Sequence, residues 1–205
     1  MKIKTLVYSF TCLLGVLFYS PMAFSQNNIP EDTRVESIDD TISKLKTAYS
    51  SQNYDAFIAV FPNNMAQFKE IYGFDDVSGG KPLYSDAYDH ITYLFNEVTN
   101  ETIDTLFKKA VGIATHSQWN ADAENYFRYE SLNLIKKHPE RFLSAMSSKT
   151  VEESASVWYF LFDGPCPSNT KEIYKDIYDL IKPLNKKQAK LLKRQFKILL
   201  KNEYF

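Results

Sequence analysis

Cysteine is scarce in this chain, with two among 205 residues. Cys12 lies in the apolar N-terminal stretch, which leaves Cys166 alone in the remainder. No intramolecular disulfide can then form, and stability has to come from packing. Glycine is sparse as well, at six residues; there is no Gly-rich phosphate loop, no dinucleotide fingerprint and no GxSxG. The three histidines, His90, His116 and His138, follow neither HExxH nor a Cys/His ligand spacing, so no metal and no cofactor is expected. No segment alternates apolar and polar residues over the length of a strand, and Asn-Gly and Asp-Gly hairpin signals are missing. After Ser25 no run is long and apolar enough to span a bilayer, which takes roughly 20 residues.

What is present begins with a leader. Lys2 and Lys4 precede an apolar stretch from Leu6 to Tyr19, then Pro21 and the small-residue pattern Ala23-Phe24-Ser25. This reads as a secretory signal peptide over 1–25, and it predicts a periplasmic or secreted protein. Residues 26–34 are polar, carry Pro30 and read as a disordered lead. Residues 35–205 remain for a single helical domain.

Helical spacing recurs along that domain. Ile38, Ile42, Leu45 and Tyr49 share a face; an apolar turn from Tyr54 to Phe61 stops at Pro62; Met65, Phe68 and Tyr72 share a helix ended by Gly73. Gly73 to Pro82 is the main loop. A helix from Leu83 to Val98 would place Tyr84, Tyr88, Ile91 and Phe95 on one face. Asn100 is expected to cap the next helix, and Asn120 one that runs through Ala123, Tyr126, Phe127, Leu134 and Ile135. A short helix over Phe142 to Met146 follows.

The most apolar run is Val157 to Phe162. Thr150 and Glu153 have the spacing of a capping box, and Gly164, Pro165 and Pro167 stop the helix, so a buried central helix is expected near 151–163. Asn169 with Glu172, and Asn185 with Gln188, open the last two. The fold class is all-α, about nine or ten short helices, arranged as a helical-hairpin array or an irregular bundle. FIAVFPNNMAQFKEIYG and LNLIKKHPERFLSAMSS share a helix, Pro, helix layout, which a divergent helical-hairpin repeat and a coincidence of helix punctuation explain equally well.

Phe57-Ile58-Ala59-Val60-Phe61-Pro62, Phe68, Ile71 to Asp76, and Lys81-Pro82-Leu83-Tyr84 resemble uncharacterised exported proteins of bacteria. The resemblance extends through Trp158-Tyr159-Phe160, most of the chain after the leader. It implies one exported helical domain, and with no activity assigned to such proteins it carries no catalytic residue.

Charge is unevenly placed. From Lys182 to Phe205 there are eight basic residues against Glu203, a balance of +7, whereas Gln26 to Ile181 stands at −10. At 100° per residue, Lys186, Lys187, Lys190, Lys193, Arg194, Lys197 and Lys201 fall on one arc, opposite Ala189, Leu192, Phe196, Leu199 and Leu200. This is a candidate surface for an anionic partner, an acidic protein or an anionic membrane. Nucleic acid is not expected, because no aromatic residues interleave the basic arc. Solvation of a core-packed helix explains the same pattern. A second candidate surface is the loop region with Tyr72, Asp75, Asp76, Tyr84 and Tyr88, where tyrosine offers an apolar body and a polar tip; the carboxylates lack a calcium spacing and read equally as turn formers.

Together these features lead to an exported, non-enzymatic helical domain that binds another macromolecule, a protein foremost, of an inhibitor or immunity type. One alternative is a hydrolase assembled in space from Cys166 and a histidine, or from carboxylates near Asp75 and Asp86. The other is a peripheral binder of anionic surfaces through the basic C-terminal helix.

Overall fold

The computed structural model describes residues 37–165 and 169–201. The leader, the polar lead and Cys166 lie outside them. Among the described residues the fold is all-α. Ten helices run in the order α1 (Ile38–Ser50), α2 (Tyr54–Val60), α3 (Met65–Tyr72), α4 (Ala87–Asn96), α5 (Ile103–Ala114), α6 (Asp122–Lys137), α7 (Pro139–Ala145), α8 (Val151–Phe162), α9 (Thr170–Leu184) and α10 (Lys186–Lys201).

Local chemistry sets most starts. Ser37, Asn53 and Asn64 accept the N–H groups of Asp40, Ala56 and Gln67 at the heads of α1, α2 and α3. Thr150 and Glu153 exchange bonds of 2.8 and 3.1 Å across the start of α8, the capping box the sequence predicts. Asn185 accepts from the Lys187 and Gln188 N–H groups at the head of α10.

Two expected caps are displaced. Asn100 caps nothing: α5 begins at Ile103 after a turn in which Thr102 Oγ1 accepts the Thr99 N–H. Asn120 instead donates to the Phe74 carbonyl, and Glu124 reaches back to the Ala121 N–H to open α6. The expected helix from Leu83 starts only at Ala87. The main loop is tied into a minimal antiparallel hairpin, β1 (Phe74–Asp75) and β2 (Gly79–Gly80), pairing Phe74 with Gly80. Two-residue strands leave no periodicity to read.

The helices form an irregular bundle. α8 packs on α5, α6 and α10, and α6 meets α4, α7, α8 and α9; in a stacked array each unit would touch only its neighbours. The expected central helix is present, with Trp158, Phe160, Leu161 and Phe162 buried. Trp158 Nε1 donates to Gln188 Oε1 at 2.8 Å, and Gln188 Nε2 donates to Ser154 Oγ at 3.2 Å, so a closed polar pair locks α8 to α10.

α6 shares the centre although its sequence is polar. Its inner face buries Glu124, Arg128 and Ser131 beside Ala123, Phe127 and Leu132. On α5, Lys109 is buried and its ammonium donates to the Phe61 carbonyl at 2.7 Å, Asn63 Oδ1 at 2.8 Å and the Ala59 carbonyl at 3.3 Å. It closes the end of α2. One turn on, a Cβ on Gly112 would overlap the Asn63 carbonyl oxygen, so α5 seats against the α2–α3 turn at its glycine.

Candidate functional site

A cavity of about 470 Å³ lies between α4, α6, the end of α8 and the start of α9, a size common for ligand pockets. Its floor comes from the buried Leu132, Leu161, Phe162 and Ile173. Its rim is phenolic: Tyr88, Tyr126 and Tyr129 are 59%, 36% and 45% exposed. Residues 125, 126, 129 and 132 follow helical spacing, so one edge of α6 supplies floor and rim together. Tyr88 of α4 meets Tyr126 edge to face, 5.3 Å between centroids.

That pair divides the cavity from a smaller one of about 200 Å³, walled by Tyr84, Ser85 and Asp122. Tyr84 donates its hydroxyl to Asp122 Oδ2 at 3.1 Å and packs its ring 5.2 Å from Phe74. Desolvation and this carboxylate raise its pKa. A Cβ on Gly80 would come within 2.9 Å of Tyr84 Cβ, so the hairpin closes on Tyr84 because residue 80 is glycine.

The polar groups of the larger cavity are few. Arg128, 5% exposed, donates to Asn125 Oδ1 at 2.9 Å and to the Leu161 carbonyl at 3.5 Å, holding α6 on the end of α8. Thr92, Asn125, Glu130 and Thr170 complete its polar lining, and Pro165 closes the apolar side. Glu130 is the one carboxylate among the described lining residues, and no histidine, cysteine or lysine faces it there. The arrangement can enclose an apolar group and hydrogen-bond its polar surroundings; among the described lining residues no acid–base pair is assembled.

The structure sorts the residues nominated from sequence. Tyr84 and Tyr88 border the two cavities. Tyr72 is corrected: it is fully buried, and its hydroxyl pairs with His90 Nδ1 at 3.0 Å among Phe61, Phe68 and Tyr49. Burial pushes the Tyr72 pKa well up and that of His90 down, so both are neutral core groups. Asp75 and Asp76 sit on the exposed hairpin. Asp75 Oδ1 accepts from the Val77 N–H, the Ser78 N–H and the Ser78 hydroxyl at 2.8–3.0 Å, which lowers its pKa. It is occupied as a turn former. Among the described residues no group of three His, Cys, Asp or Glu side chains is placed to hold a metal ion.

Lys186, Lys187, Lys190, Lys193, Arg194, Lys197 and Lys201 are all exposed on one side of α10. Ala189, Leu192, Phe196 and Leu199 are buried on the other as expected; Leu200 is corrected to 39% exposed, and Leu191 and Gln188 take part in the buried face instead.

Sequence reasoning passed over Tyr129, Arg128 and Asn125 and named Tyr126 only as one of the positions its helix runs through. The available signal was the spacing of Tyr126 and Tyr129 on one edge of α6. What hid it was the polar inner face, which removes the contrast that marks inside from outside. Compared with known proteins, the chain matches no family, no curated protein and no solved structure.

Proposed function

We propose that this chain is an exported, non-enzymatic helical domain that binds a protein partner, of inhibitor or immunity type, and that the cavity between α4, α6, α8 and α9 receives an apolar side chain of that partner. The observation that carries this reading is the combination of a buried apolar floor with three exposed tyrosines at the mouth. Interfaces concentrate their binding energy where an anchor fills such a pocket, ringed by aromatic groups that exclude water. Tyrosine suits the rim because its ring contributes area at little entropic cost and its hydroxyl stays hydrated. The described lining carries one negative group, Glu130, against one positive group, Arg128, so an uncharged anchor is favoured.

The test compares capture by the full chain with capture by Tyr88→Ala and Tyr129→Ala. Both side chains are exposed, so the variants keep the fold. A protein that is lost from both variants, and whose reconstituted complex weakens about 30-fold in calorimetry, supports the reading. A partner that binds wild type and both variants equally places recognition elsewhere and ends it. If the partner is an enzyme, its activity in the complex decides between inhibition and simple tethering.

A further inference from the structure

The basic face of α10 carries an inference independent of the cavity. Its cations span an arc of about 120° along a helix about 24 Å long. The tertiary structure adds what the helical wheel leaves open. The apolar side of α10 is consumed by packing against α8 and α9, so the stripe is fixed outward and the helix has no apolar face left to insert into lipid. Among the described residues no carboxylate pairs with any of the seven, although 26–181 carries a balance of −10. Lys186 and Lys187 occupy the first turn, where the helix dipole disfavours cations. Helix stability therefore does not account for them.

The chemistry of the stripe favours one class of partner. Six of the seven groups are lysine and one is arginine. Lysine is a point charge with no preferred fork geometry, whereas fixed carboxylates on a protein are best met by bidentate arginine. A row of point charges suits an array of anions that can rearrange beneath it. At the two edges of the arc, Ile198 and Leu200 are 36% and 39% exposed, able to rest at the headgroup level without deep insertion.

We propose that the α10 stripe docks peripherally on a bilayer containing anionic lipid headgroups. Consistent with peripheral attachment, no helix among the described residues is long and apolar enough to cross a membrane.

The experiment expresses the full chain, purifies the form the cell releases, and measures sedimentation with vesicles of phosphatidylglycerol in phosphatidylcholine against phosphatidylcholine alone. Binding to the anionic vesicles only, reversed at about 1 M salt, is expected. Lys190→Gln/Arg194→Gln/Lys197→Gln should weaken it roughly a hundredfold. The charge-preserving Lys190→Arg/Lys197→Arg should retain it, and circular dichroism checks that each variant is folded. Lys46→Gln/Lys108→Gln/Lys171→Gln, which removes the same charge elsewhere, should retain most of it. Equal binding to phosphatidylcholine, no binding at low salt, or equal loss in the control triple variant overturns the proposal. So does tighter binding to polyglutamate or duplex DNA than to the anionic vesicles, which would assign the stripe to an acidic protein or a nucleic acid.

Discussion

Two residues on α5 show how single side chains fix a helix junction. Lys109 satisfies three oxygens around the end of α2, and Lys109→Ala leaves them without that donor inside the protein. A loss of about 1–3 kcal/mol is expected in urea unfolding. Gly112→Ala should also destabilise, by about 1–3 kcal/mol. The helix propensity of alanine pulls the other way by about 1 kcal/mol; the overlap with the Asn63 carbonyl decides the sign, because backbone cannot rotate out of the way. A stabilised Gly112→Ala variant would show that the α2–α3 turn yields. Neither role could be read from the sequence, since Lys109 looks like any surface lysine and a glycine inside a helix looks like a weakness.

Among the elements, α8 and α6 make opposite lessons. α8 announces itself through an unbroken apolar run and a capping box, and it is buried where expected. Its fine positioning depends on Gln188, which the capping pattern pointed toward the head of α10 but which turns inward to Trp158 and Ser154. Gln188→Leu should cost about 1–3 kcal/mol by leaving the indole N–H buried without an acceptor, measured against Gln188→Glu, which keeps an acceptor for it. α6 is concealed because its buried stripe contains Glu124 and Arg128, residues that periodicity analysis assigns to solvent. Glu124 is fully buried with Lys69 4.0 Å away, and burial raises its pKa. The candidate cavity depends on α6, so it was hidden for the same reason.

For the whole molecule, buried titratable groups set how stability follows pH. Burial lowers the Lys109 pKa to about 8 from an ordinary 10.5. Above about 8 the folded state releases this proton while the unfolded chain holds it until about 10.5, so Lys109 makes stability rise with pH across that window. Half-buried Tyr54 and buried Tyr72 act in the opposite sense above about 10, where the unfolded phenols ionise and the folded ones hold their protons. Stability should therefore climb from about pH 8 toward 10 and then fall. Urea midpoints for wild type and Lys109→Met check this, and a climb that survives in the variant would assign it to another group.

The sequence by itself determined the helical class, the position of most helices, the capping box of α8 and the segregation of charge onto α10, because each is written in neighbours within a few residues. Tertiary structure decided the rest. It made an irregular bundle rather than an array, sent Tyr72 into the core, left Tyr88 and Tyr129 at a cavity mouth, and turned the cations of α10 outward by occupying its apolar side. Those outcomes depend on contacts between residues tens of positions apart, where packing and the satisfaction of buried polar groups outweigh the local pattern.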